Sequence, residues 1–179
     1  MQQAGQMVDP ASPLSASPLP ASKAFADDER SVLLGYLAYH RAVLARKLDG
    51  LTDEQARFAA IEPSRLTLLG LVRHMTDVER WWFRRVLVAD DVPGLFADEE
   101  EWDVPPDATV STALCAFWDE IALIDVHLAA SNMDAVSTGN PDGEHLALRR
   151  IIVHMIEEYA RHCGHADLLR EVIDGTTGD

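Results

Sequence analysis

Two residue types in this sequence have a spacing that could do chemistry. His154, Glu158, His162 and His165 follow one another at steps of four, four and three in a single apolar stretch. At about 100° per residue of helix, they lie along one side of one element, among Ile151, Met155 and Leu169. His74 sits on a second apolar stripe, between Leu71 and Val78, and also points inward. A Glu and a His four apart set two donors on one helix face. A third His from a facing helix would complete a three-ligand set with a position left for water or substrate, the arrangement of catalytic divalent-metal sites. A bound cation would also offset the cost of a carboxylate on an inward face. Blander readings stand beside this one: an ion pair between Glu158 and an Arg of the helix that carries His74, and a core-edge His74 with one hydrogen bond. His165 could serve as a fourth ligand, a donor to a ligand or a base, and His40, on a third stripe, could be a base lining the cavity or a satisfied core histidine. Trp81 or Trp82 is expected to wall the pocket.

These residues need helices to carry them. From Asp28 onward, apolar residues recur at helical spacing with almost no period-two alternation, which predicts an all-α fold. The stripes predict helices over about 28–48, 65–87, 109–131 and 145–174. A short turn over 53–59 follows from the Thr52-x-x-Gln55 capping box, and Gly175 is the expected stop of the last helix. Four amphipathic stripes in one domain are most simply buried together as a four-helix bundle. The connection over about 89–108 carries Pro93, Gly94, Pro105 and Pro106 with eight acids and no base, and reads as a solvated acidic loop. It is long enough to run the length of a bundle, so helices two and three need not form a hairpin. Residues 1–27, with four Pro and many Ser and Ala, read as a disordered tail, and 28–175 as the domain.

Composition excludes partners. Fifteen Lys and Arg against 30 Asp and Glu give a formal charge of −15 over 179 residues, which opposes nucleic-acid and anionic-membrane binding. The two cysteines, Cys115 and Cys163, have no CxxC spacing and read as small buried hydrophobes. No segment is long and apolar enough to span a bilayer, and nothing reads as an export signal, so the expected location is cytoplasmic.

Two stretches carry a family resemblance. Leu68-Leu69-Gly70-Leu71-Val72-Arg73-His74 with Asp77-Val78-Glu79-Arg80-Trp81-Trp82-Phe83-Arg84-Arg85 is one. Ile152-Val153-His154-Met155-Ile156-Glu157-Glu158-Tyr159-Ala160-Arg161-His162-Cys163-Gly164-His165-Ala166-Asp167 is the other. Together they resemble the signature helices of the DinB-like superfamily, above all its actinobacterial branch, which includes the N-terminal domain of mycothiol-dependent maleylpyruvate isomerase. The resemblance implies a four-helix bundle of up-down-down-up course and a divalent metal, zinc or nickel, held by His74, Glu158 and His162. Glu at position 158, where many DinB-like proteins have His, is similar to the mycothiol-dependent branch. It implies a metal-dependent transferase using a low-molecular-weight thiol such as mycothiol, with that thiol and an electrophile as partners; a homodimer is a separate expectation, which the resemblance does not carry. The isomerase carries a further C-terminal domain with no counterpart in this sequence, so thiol transfer rather than isomerisation is the expectation. Two other classes remain open: a non-catalytic, metal-stabilised helical dimerisation module, and a metal-assisted hydrolase with His165 or His40 as base.

Overall fold

The computed structural model describes residues 28–97 and 100–178; the 1–27 tail lies outside them. Among the described residues every regular element is helical: α1 (Glu29–Arg46), α2 (Asp53–Ala56), α3 (Leu68–Glu79), a π-helical continuation of α3 (Arg80–Leu87), α4 (Val110–Ala130) and α5 (Leu148–Asp174). An isolated antiparallel bridge joins Val136 to Ala147.

Local chemistry sets the ends. The Asp28 carboxylate accepts from Ser31 N at 3.0 Å and starts α1. The capping box at Thr52 and Gln55 is present with both its hydrogen bonds. Thr67 caps α3 by accepting from Gly70 N at 2.9 Å, so α3 starts three residues later than the apolar pattern suggests. Gly175, in the left-handed conformation at φ 78°, ends α5 as expected. The start of α5 shifts from 145 to 148 because the backbone before it is engaged elsewhere: Ser137 N donates to Leu146 O at 2.8 Å and Leu148 N to Ala135 O at 2.7 Å.

The stripes form one core. α1 packs along α5, α3 along α4, and α3 also meets α5. Leu37 and Leu44, Leu71 and Met75, Phe117 and Ile124, and Ile151 and Tyr159 are buried in it. Polar contacts tie the helix ends in a definite order. Glu29 and Lys47, at opposite ends of α1, pair with Arg149 and Asp167 of α5. Arg30 donates to Ser131 O beyond the end of α4 at 2.8 Å, while Val110 N at its start donates to Asp53 at 2.8 Å.

Several carboxylates are not the surface groups that composition suggests. Glu79 is fully buried; its two oxygens accept from Arg41 Nε and Nη2 at 2.6 Å each, and Tyr159 Oη donates to it at 2.7 Å. Arg41 also donates to Asp125 at 3.0 Å, so one polar network touches α1, α3, α4 and α5. Burial works against the Arg41 charge, but Glu79 overrides it and the pKa is raised; burial and the Glu79 charge likewise raise Tyr159 well above a normal phenol. Buried Glu120 accepts from Arg80 at 2.6 Å and Arg84 at 3.2 Å, which gives these π-helical cations an inward role. Cys163 is buried as expected, whereas Cys115 is exposed: it lies on the outer face of α4, away from the Leu114 and Phe117 side.

Candidate metal centre

Antiparallel contacts between α3 and α5 bring the chemistry together. His74 meets His162, Glu79 meets Tyr159, and Trp82 meets His154. His74, Glu158 and His162 each offer one donor atom within 4.8 Å of the other two. The His74 and His162 rings are 4.8 Å apart at 64°, and Glu158 Oε2 lies 3.5 Å from His162 Nε2. The second Glu158 oxygen faces Arg161 at 3.4 Å and His154 Nε2 at 3.7 Å. His162 is buried, and the other two are half-buried.

The donor set is one that could hold a divalent metal ion. The two imidazoles are borderline ligands and the carboxylate a harder one, a combination that catalytic divalent sites use, and three protein groups are one short of the closed four-ligand structural zinc sites. A ligating histidine must be neutral. His162 meets that condition: burial, then the neighbouring His74, His165 and Arg161, push its pKa down to about 4 from an ordinary 6.5.

The other histidines fall at different distances from this point. His165 Nδ1 is 3.4 Å from His162 Nδ1, beside a ligand candidate rather than among the three. His40 is not one of the three; its carbonyl receives the Cys163 thiol at 3.8 Å. Trp82 meets His154 edge-on at 4.5 Å, and Trp81 lies under the Arg85 guanidinium.

The aromatic wall against His74 is instead Trp102, stacked at 4.8 Å and 28°. With it comes Glu101, whose Oε1 is 3.3 Å from His74 Nδ1. Both belong to the acidic connection, which is therefore not a purely solvated linker. Sequence spacing gave no sign of which of the eight acids folds back. One cue was available: Arg73, next to His74, is the cation that holds the loop, through Glu101 O at 3.2 Å and Glu100 O at 3.3 Å.

A family model described as Mycothiol-S-transferase matches residues 32–175. The chain belongs to the mycothiol-S-transferase family. No curated protein and no solved structure matches it. The matched span runs from the first turn of α1 to the C-cap of α5, so it takes in both site helices and the loop between α3 and α4. The mycothiol-S-transferase family is DinB-like, in agreement with the resemblance carried by the two signature stretches. It implies transferase-like function that depends on mycothiol, and therefore a small-molecule thiol partner. No described helix is long and apolar enough to cross a membrane.

Proposed function

We propose that the chain is a divalent-metal-dependent thiol S-transferase in which His74, Glu158 and His162 hold the metal, zinc or else nickel. The carrying observation is the convergence of those three donor atoms within 4.8 Å, on two helices inside the family match. A bound dication would supply a lowered thiol pKa, so that a thiol of ordinary pKa near 8.5 reacts as thiolate at neutral pH. The chain's own residues set the conditions. Glu158 would lower the net charge of the centre relative to an all-histidine set, which would leave a bound thiolate more electron-rich. His162 is kept neutral by its burial, and His165 is in position to fix the His162 tautomer through the Nδ1 contact. Arg161, on the exposed side of Glu158, orients the carboxylate that also faces His162.

The reading includes the architecture that holds the site, a four-helix bundle over 28–175 running up-down-down-up. The order of end contacts supports it. The start and end of α1 meet the start and end of α5, α1 meets α4 in reverse order, and α3 meets α5 in reverse order.

Cobalt substitution tests the function. In the cobalt(II) protein, adding mycothiol should change the visible spectrum and introduce sulfur-to-metal charge transfer, because three protein ligands leave room for a fourth. A spectrum indifferent to thiol, in protein that binds cobalt stoichiometrically, would favour a metal that only stabilises the fold.

A further inference from the structure

The segment that precedes α4 is fastened to the outside of α3 by three of its residues. Asp77 Oδ1 accepts from Leu95 N at 2.7 Å. Arg73 lays its guanidinium over the Phe96 ring at 4.2 Å and donates to the carbonyls of Glu100 and Glu101. His74 takes Trp102 on its face and Glu101 at its Nδ1 edge. One turn earlier, Gly70 faces the same segment: a Cβ there would come into ordinary contact with Trp102 Cε3 at 3.4 Å and Val104 Cγ2 at 3.6 Å, and would crowd the capping Thr67 Oγ1 at 2.9 Å. Asp77, Arg73 and His74 make these contacts, and with Gly70 they lie on one face of α3, at spacings of three, one and three.

We propose that Glu101 is a positioning residue for the metal centre: its carboxylate accepts the Nδ1–H of His74 and so leaves the Nε2 lone pair as the donor. An imidazole offers one lone pair in its neutral form, and the partner of the other nitrogen decides which. A carboxylate on that nitrogen fixes tautomer and ring orientation and raises basicity. Both groups are mostly shielded, with 21% and 18% of their side chains exposed, so water competes weakly for the contact. Trp102, stacked on the His74 ring at 4.8 Å, restricts its rotation. Glu101 is not itself one of the three convergent donors, which separates positioning from ligation.

The inference rests on the metal centre proposed above, and the experiment has two arms so that the two can fail separately. In metal-free wild-type protein at mildly alkaline pH, nitrogen-15 shifts should show His74 protonated at Nδ1, and E101A should shift it toward the Nε2–H form. Zinc affinity is then measured by chelator competition. E101A should bind about 10–100-fold more weakly, the usual cost of losing such a partner. E101Q, whose amide oxygen can still accept the Nδ1–H, should stay close to wild type, as should D107N, which removes an exposed acid of the same loop. Wild-type His74 protonated at Nε2, unchanged affinity in E101A, or E101Q as weak as E101A would each overturn the proposal; the last would make Glu101 a ligand or a plain charge. If E101A does not fold, the wild-type tautomer and the E101Q affinity decide it. Wild type that binds no zinc sinks the metal centre instead, and the tautomer, read without metal, still judges the Glu101 contact.

Discussion

Replacing Glu79 by Ala should be among the most costly single changes in this protein. The carboxylate is fully buried, accepts two hydrogen bonds of 2.6 Å from Arg41 and one of 2.7 Å from Tyr159, and has no solvent to fall back on. Its removal leaves the Arg41 charge in the interior, a defect that costs about 3–5 kcal/mol. It also leaves a buried phenol without its acceptor, for about 1–3 kcal/mol. One term softens this: Arg41 Nη1 keeps Asp125, which is 59% exposed and can relax toward it. A net loss of about 4 kcal/mol follows, equivalent to a fall in Tm of roughly 8–16 °C for a domain of this size. The assay is urea unfolding with chelator present, so that metal linkage does not enter, and an unchanged m-value confirms that stability alone has moved. Glu79→Gln, which keeps an acceptor for Tyr159, should lose less. The double change of Arg41→Met with Glu79→Leu should recover most of the loss, because nothing charged is then stranded. A loss below about 1 kcal/mol for Glu79→Ala would refute the reasoning.

Three further outcomes are expected. His162 has a folded pKa of about 4 against an ordinary 6.5, so between those values the unfolded chain binds a proton that the folded one does not. Stability of the metal-free protein should therefore fall as pH drops through that window, by on the order of 3 kcal/mol in total, and His162→Gln should flatten the dependence in chemical denaturation. Gly139→Ala would drive a Cβ to 1.9 Å from Arg85 O and 2.7 Å from Ala89 Cα, both backbone; a loss of about 1–3 kcal/mol or more should appear in thermal melts. In native protein, iodoacetamide should label exposed Cys115 and spare Cys163, whose thiol is buried and pushed up to about 12; equal labelling of the two by mass spectrometry would contradict the burial of Cys163.

The helices were legible because their punctuation is local. Asp28, Thr52 with Gln55, and Gly175 stop or start helices through hydrogen bonds to residues three or four away. The start of α5 was less so, since its first predicted turn is claimed by the distant strand-like pairing at 135–137. The π-helical turn after Glu79 escaped because an apolar stripe at steps of three and four does not distinguish a slightly wider helix. Within the site, His74, Glu158 and His162 stood out as polar groups on buried faces. The same test, applied to every charge, would also have found the buried ion pairs. Arg41 lies between Leu37 and Leu44, Glu79 between Met75 and Phe83, and Glu120 between Phe117 and Ile124, each at core spacing. Glu101 and Trp102 had no such signal. Their approach to His74 depends on where an irregular segment returns to α3, and there it is held by Arg73, which donates to the carbonyls of Glu100 and Glu101.

The account turns on one ion held by three side chains, and metal analysis of the purified protein tests it most directly. Wild type, stripped with chelator and dialysed against zinc or nickel, should retain one divalent ion per chain, and His74→Ala, Glu158→Ala and His162→Ala should each lose it while keeping their helical circular dichroism. A folded wild-type protein that holds no stoichiometric metal, or a Glu158→Ala variant that holds it as tightly as wild type, would contradict the account.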